Sequence, residues 1–310
     1  MNGPGVLNLN FLTNRARVNG LALFLILGAA TCPTNPASAA TIRDDQPAGA
    51  YLDLAQDPDY IPVGLLVNSW GYTGSATLIA PDWILTAAHN LMAATSATFT
   101  INGTSYASAR FIVNPGWNGD ALHGSDLALV HLATPVAGVA PATLYTGSDE
   151  FGQTGTFVGY GFTGTGLIGW KSLDNKMRAF QNVIDGDFGN ASIVLGSDFD
   201  NPHTAADNAF GSSVGLTLEG CAALGDSGGG VFLRVGSKSY LAGVISFVGA
   251  TDGSSNSDYG DVTGFGRTSA FAPWIATQIP EPSTSLLLVG AGFAILLGHT
   301  CRRRKTSTTR

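Results

Sequence analysis

Gly225-Asp226-Ser227-Gly228-Gly229 decides how the rest of the chain is read. A serine hydroxyl is a poor nucleophile at neutral pH until an adjacent base takes its proton, and that base needs a third group to orient it. Two upstream stretches supply both: Thr86-Ala87-Ala88-His89 and Ser125-Asp126-Leu127-Ala128-Leu129. The glycines around Ser227 permit a tight turn and let a substrate backbone come close. They also leave main-chain N–H groups free to face a developing oxyanion.

Chain order separates the possible designs. Gly225-x-Ser227-x-Gly229 also satisfies the nucleophile elbow of α/β-hydrolases, where the histidine follows the serine. Here His299 alone follows Ser227, and it sits in an apolar tail where it cannot serve. Subtilisin-like enzymes run Asp, His, Ser, whereas this chain runs His89, Asp126, Ser227. Asp126 is preferred to Asp120 because an apolar strand follows it, as a buried carboxylate partner requires. Asp120 belongs to the turn Asn118-Gly119-Asp120. His131 alternates with apolar neighbours and reads as a barrel residue. His203, in Asp198-Phe-Asp200-Asn-Pro-His203, fits no metal-ligand spacing and reads as part of a polar loop.

Both ends carry sorting signals. Arg15 and Arg17 precede the apolar run Leu21–Ala30, and Ala37-Ser38-Ala39 or Ser38-Ala39-Ala40 offers a small-residue cleavage site. Residues 1–40 therefore read as a secretion signal; the alternative, an uncleaved anchor, is disfavoured because the run is short for a bilayer. At the other end Pro280-Glu281-Pro282 precedes the apolar run Leu286–Gly298 and the basic cluster Arg302-Arg303-Arg304-Lys305. These features in this order resemble the PEP-CTERM sorting signal, which implies processing by an exosortase-like enzyme. The alternative is a plain C-terminal anchor. Either reading places the body beyond the cytoplasmic membrane, with membrane contact through the C-terminal helix before processing.

Charged residues are 12% of the 310, and 41 are glycine. With short β-branched runs, this composition points to an all-β fold rich in turns. Between residues 41 and 280 eight Lys and Arg face 21 Asp and Glu, a net charge of −13. Such a surface repels nucleic acid, so no nucleic-acid partner is expected. Cys32 and Cys301 lie in the two signals, so Cys221 alone remains in the body and no disulfide can form there. A body of this size can bury a core without one.

Strands are predicted at 63–67, 74–80, 83–86, 97–101, 107–113 and 127–132, with Asn102-Gly103 as a hairpin turn. Asp44 to Asp59 reads as an irregular lead-in, and Pro135 to Tyr145 as the connection between two lobes. The second lobe is predicted to hold strands at 155–161, 180–184, 191–195, 230–235 and 240–247. A helix is expected over Ser269–Gln278, with Pro273 tolerable only in its first turn.

The body, roughly Ile61 to Ile279, resembles a trypsin/chymotrypsin-type serine protease. The resemblance rests on Gly74-Ser-Ala-Thr-Leu-Ile, Thr86-Ala-Ala-His89, Asp126-Leu-Ala-Leu-Val, Gly159-Tyr160-Gly161, Gly225-Asp-Ser-Gly-Gly229, Gly243-Val-Ile-Ser246 and the closing helix. It implies two antiparallel Greek-key β-barrels, about 61–134 and 146–268, with the active site between them. A lead-in at 41–60 precedes them and the sorting signal at 280–310 follows. It implies catalysis by His89, Asp126 and Ser227, with the N–H groups of Gly225 and Ser227 as oxyanion hole. It implies a pocket near Cys221, Ser246 and Gly264, with Phe247 and Val248 beside the substrate backbone. Cys221 stands where a carboxylate would select Lys or Arg, so a mid-sized apolar side chain is expected. Gly230 stands where the family usually has proline. No cofactor or metal is called for.

Asp226 implies a pairing with a newly made N-terminal ammonium, but the usual Ile/Val-Val-Gly-Gly after a basic residue is absent. Signal removal, or trimming at Ile42, would give the working terminus directly; alternatively Arg43 would pair with Asp226. The expected partners are thus a protein or peptide substrate, signal peptidase and an exosortase-like enzyme. Two other functions share this scaffold: a catalytically silent surface adhesion or binding protein, and an esterase-like hydrolase. Labelling by a fluorophosphonate separates the first from an enzyme, and peptide cleavage separates the second from a protease.

Overall fold

The computed structural model describes residues 40–188, 192–211 and 214–279, with the backbone of two short strands, Leu7–Asn8 and Ala22–Leu23. The signal-peptide reading up to Ala39 and the sorting tail from Pro280, with Cys32, His299 and Cys301, lie outside the described side chains. The chain falls into two compact units, residues 1–272 and 273–310, and only residues 273–279 of the second are described.

After β1 (Thr41–Ile42) and α1 (Ala48–Leu54) come β2 (Val63–Asn68), β3 (Thr73–Ala80), β4 (Trp83–Thr86), β5 (Ala97–Ile101), β6 (Thr104–Val113) and β7 (Ala128–Leu132). The six strands β2–β7 close into an antiparallel barrel in the order β2-β3-β4-β7-β6-β5. Alternation decides which way each side chain points: along β5, Ala97, Phe99 and Ile101 are buried while Thr98 is exposed. Leu66, Leu78, Ile84 and Val130 join them in the barrel interior, each burial worth roughly 1.5–3 kcal/mol. The turn after β5 carries Asn102 (φ 48°) and Gly103 (φ 72°), the positive-φ pair that a tight hairpin demands, and Ile101 pairs with Thr104 across it.

Beyond the connection come β8 (Thr154–Gly159), β9 (Thr163–Thr165), β10 (Gly169–Ser172), β11 (Arg178–Val183), β12 (Gly186–Asp187), β13 (Val194–Asp198), β14 (Gly220–Cys221), β15 (Gly230–Val235), β16 (Lys238–Gly249), β17 (Val262–Arg267) and α2 (Thr268–Gln278). Seven of these strands form one antiparallel sheet, β11-β8-β15-β16-β17-β13-β12. It curls until β11 approaches β13 and encloses Phe157, Phe180, Phe265 and Leu195. Phe157 stacks on Phe180 at 4.9 Å and meets Phe265 edge-on at 5.8 Å. The molecule is thus all-β, with a closed six-stranded barrel followed by a curled antiparallel sheet. The connection is pinned at both ends: Ala142 N–H donates to Leu78 O at 2.8 Å and Tyr145 N–H to Leu241 O at 2.8 Å.

Several expectations change. The lead-in is not irregular: α1 forms after Pro47, and its Tyr51 is fully buried. The strand expected at 191–195 lies at 194–198. Strand β17 was not among the predicted strands; it carries Gly264 and Gly266 in its interior, where glycine weakens a strand signal. A Cβ on Gly264 would stand 2.1 Å from the Phe247 ring, so these glycines serve close approach rather than a turn. Pro273 stands beyond the first turn of α2, where its missing N–H removes a helical bond. Finally, Thr41 and Ile42 pair with β9 on one side and β14 on the other, so the start of the described chain is built into a four-stranded sheet.

Candidate active site

Strand β4 runs almost wholly buried and ends at Thr86, so the turn after it delivers His89 to the barrel rim. The segment entering β7 presents Asp126 from a turn in which Ser125 holds φ 63°. The two meet. Asp126 is 2% exposed, and its Oδ2 lies 2.7 Å from His89 Nδ1. Its Oδ1 accepts the His89 backbone N–H at 2.9 Å, and Oδ2 also accepts the Ser246 hydroxyl at 2.6 Å. Burial opposes the charged forms of both partners. The charge and hydrogen bonds between them outweigh it, holding Asp126 below and His89 above their ordinary values.

The loop carrying Ser227 is fastened to the first barrel. Ser227 O accepts Ser75 N–H at 2.8 Å and Asn90 Nδ2 at 2.8 Å. The buried Ser75 hydroxyl donates to Gly225 O at 3.0 Å and accepts Tyr160 N–H at 2.9 Å. Gly225 (φ 93°) and Gly228 (φ 86°) occupy backbone conformations that side chains rarely adopt. Within the loop, the N–H groups of Asp226, Gly228 and Gly229 bind Ala223 O, Ile245 O and Asp226 O. Those of Gly225 and Ser227 have no acceptor among the described residues. The Ser227 side chain acts on Tyr72 in the sense that favours the phenolate, partly offsetting the upward push of burial there. No hydrogen bond joins it to His89 among the described residues, in keeping with the loose nucleophile–base contacts of free enzymes.

The expected pocket residues divide. Ser246 turns its hydroxyl to Asp126 and so supports the carboxylate instead of lining a pocket. Cys221 is 1% exposed, with its Sγ 3.3 Å from Thr263 Oγ1, and burial pushes its thiol well up. The room expected at Gly264 is filled by Phe247. Asp226 is buried and accepts N–H groups from Gly161, Ala223 and Ala40. Gly159 and Gly161 are glycines because Asp226 fills the space of their side chains: a Cβ on Gly159 would stand 2.3 Å from Asp226 Oδ1. Arg43 does not reach Asp226; it bonds Asp45, Gly215 O and Leu216 O.

The remaining candidates lie in local contacts. Asp120 accepts Leu122 N–H and pairs with His123 at 2.6 Å. His131 pairs with Asp82 at 3.1 Å, and His203 with Asp44 at 3.0 Å. One carboxylate group among the described residues has the closeness a cation needs: Asp252, Asp258 and Asp261, whose ligand oxygens lie within 4.8 Å of one another. Asp261 already accepts two backbone N–H groups there. Sequence reasoning assigned no role to Ser75, Asn90 or Tyr72; Ser75 lies inside the stretch Gly74-Ser-Ala-Thr-Leu-Ile, and the other two lie in no quoted motif.

A closed barrel followed by a curled antiparallel sheet is the two-barrel trypsin fold, and the buried His–Asp pair lies at the rim of its first barrel. The chain matches the Trypsin family over residues 56–181, a stretch that takes in His89 and Asp126 and ends before Ser227. It matches the PEP-CTERM protein-sorting motif over residues 278–305. The first match supports a serine-protease-type domain with peptide substrates, and the second supports export and exosortase processing.

Proposed function

We propose that the protein is an active serine endopeptidase, exported through a cleaved leader at residues 1–40 and held at the membrane by its C-terminal helix before processing. The protease domain spans about 61–279. In this reading Ser227 attacks the peptide carbonyl carbon while His89 takes the hydroxyl proton. The tetrahedral oxyanion is stabilised by the N–H groups of Gly225 and Ser227, each such donor worth ~3 kcal/mol. Collapse expels the amine, which receives the proton from His89, and water repeats the sequence on the acyl-enzyme. Asp126 holds the imidazole in the right tautomer and stabilises the imidazolium.

The observation that carries this reading is the buried Asp126, whose two oxygens accept His89 N–H, lie against His89 Nδ1 and accept the Ser246 hydroxyl. A scaffold kept only for binding has no need of a buried carboxylate aimed at one imidazole. With a thiol at position 221, and with Phe247 filling the space beside Gly264, cleavage after apolar rather than basic residues is supported. A peptide library tests activity and specificity together. Cleavage after uncharged residues supports the reading, cleavage of esters alone favours the esterase, and dominant cleavage after Lys or Arg contradicts the pocket.

A further inference from the structure

Asn68, Asn114, Asn118, Asn201 and Asn208 share one local arrangement: the side-chain Oδ1 of each accepts the backbone N–H two residues on, at 2.9–3.1 Å. This turn folds the side chain back over the chain, so its Cγ faces the backbone nitrogen of the intervening residue. The same bond draws electron density from Cγ. The intervening residue separates the five. Pro115 and Pro202 have no N–H. Ser69 N–H is committed to Ser96 O at 2.9 Å, and Ala209 N–H to Asp198 Oδ2 at 2.6 Å. After Asn118 comes Gly119, whose N–H has no acceptor among the described residues. Both residues are exposed, and a Cβ on Gly119 would meet nothing within 4 Å, so its nitrogen is freely approached.

We propose that Asn118 is a site of spontaneous modification, converting to aspartate and isoaspartate through a cyclic imide. The deprotonated Gly119 nitrogen attacks Asn118 Cγ, and the Asp120 N–H on Oδ1 stabilises the oxyanion that forms. The Cγ–Nδ2 bond then breaks, and Nδ2 leaves as ammonia with the proton given up by Gly119. Water adds to either carbonyl of the imide and reopens the ring. The net change is water in and ammonia out. Opening at Cγ leaves aspartate. Opening at the backbone carbonyl leaves isoaspartate, in which the chain runs through Cβ and Cγ and is one carbon longer.

Asn118 lies where such a change reaches the candidate catalytic pair. The loop 114–127 joins β6 to β7 and carries Asp126 near its end. Its base is closed by Asn114 N–H donating to Leu127 O at 2.9 Å, and its limbs touch: a Cβ on Gly116 would stand 2.7 Å from Ser125 Oγ. Beside Asn118, Asp120 Oδ1 accepts Leu122 N–H at 3.0 Å and Oδ2 bonds His123 at 2.6 Å. A loop so tied passes an added carbon on to its neighbours, among them the 2.7 Å contact of Asp126 with His89 Nδ1. Isoaspartate at this position is therefore expected to lower kcat and leave KM little changed, a consequence that rests on the protein being a serine protease. The modification itself does not rest on that reading. Asn102–Gly103 is the other Asn–Gly step among the described residues and serves as an internal control. It is also exposed, but no N–H among the described residues donates to Asn102 Oδ1, and Ile101 pairs with Thr104 across the turn.

For the test, the exported Ser227→Ala chain, which cannot digest itself, is held folded in mildly alkaline buffer, cut with a second protease and mapped by mass spectrometry. The mass gain of OH over NH2 is expected at Asn118, with isoaspartate there by enzymatic methyl labelling. Asn102 should lag at least roughly tenfold, since one oxyanion donor is worth that much or more. No conversion at Asn118, or conversion of Asn102 as fast or faster, overturns the proposal. So does the same lag in the denatured chain, where it would come from sequence and not from the turn. In the active wild type, kcat should fall in step with the isoaspartate fraction. Asn118→Asp, whose carboxylate still accepts the Asp120 N–H, should keep its rate through the same incubation. Conversion with unchanged kcat supports the modification and overturns its effect on catalysis. A fresh wild-type chain without activity overturns the protease reading, and the mass map still decides the modification.

Discussion

The side-chain amide of Asn90 donates to the backbone carbonyl of Ser227 at 2.8 Å across 137 residues of chain, and Asn90 is the residue next to His89. His89 and Ser227, the proposed base and nucleophile, are therefore joined through Asn90 by one covalent step and one hydrogen bond. Asn90 also donates to Thr86 Oγ1 at 3.0 Å, and Thr86 Oγ1 donates to Ser75 O at 2.7 Å. The rim of the first barrel thus sets the place of Ser227 through a buried network in which Asn90 Oδ1 alone lacks a partner.

Asn90→Ala is expected to lower kcat roughly tenfold with little change in KM, because it removes a positioning contact and no substrate contact. Stability should fall by about 1–2 kcal/mol for the two lost hydrogen bonds. Gly74→Ala should act the same way from a distance, since its Cβ would stand 2.6 Å from Asn90 Nδ2. Steady-state kinetics with thermal melts of each variant check this; a change confined to KM would argue against it.

Tyr72→Phe removes the phenol that interacts with the Ser227 side chain. One neutral hydrogen bond is worth ~0.5–1.5 kcal/mol, so acylation is expected to rise roughly two- to tenfold if Tyr72 competes with His89 for the hydroxyl. Single-turnover acylation rates read this directly, and a fall in rate would assign Tyr72 to substrate binding.

The general base works only as neutral imidazole. Because Asp126 raises the His89 pKa over the opposing effect of burial, kcat/KM should rise with pH through a midpoint above 6.5. Asp126→Asn removes the charge, so the midpoint should fall. The rate should drop about 10⁴-fold, the size seen when this carboxylate is neutralised in triad proteases. A pH–rate profile of both forms checks sign and size.

Stability should run against pH for a different set of groups. Burial pushes Glu219 up to about 8 and Asp200 up to about 7. Each binds its proton more tightly folded than unfolded, so its contribution is full below its ordinary value, 4.5 for Glu219, and is lost as pH rises through the raised one. Asp126, held low, contributes in the opposite sense and loses its share as pH falls below 3.8. In a Ser227→Ala background the melting temperature should therefore decline from about pH 4.5 to pH 8, and Glu219→Gln should flatten that decline. An unchanged slope would show that Glu219 does not titrate there.

Much of this was legible in the chain. The β-barrel strands read from period-two alternation, and His89, Asp126 and Ser227 read from short motifs whose neighbours must be small. Strand β17 was hidden because its glycines answer to Phe247 and Leu127, residues distant in sequence. Tyr51 was hidden because α1 gains its buried face only against the second sheet, where its hydroxyl donates to Glu219 O at 2.9 Å. Ser75 lies within a quoted motif and Asn90 beside one, but their partners stand 150 and 137 residues away, so no local pattern announces their contacts. Ser246 was placed in the pocket because its position along β16 says nothing of which way its hydroxyl turns.

The proposed chemistry stands or falls on Ser227 being an activated nucleophile. Labelling the exported protein with a fluorophosphonate, followed by mass spectrometry of the adduct, tests it most directly. A single adduct on Ser227 is expected, vanishing in Ser227→Ala and falling sharply in His89→Ala. A folded protein that takes up no probe, or takes it up on another residue, would contradict it.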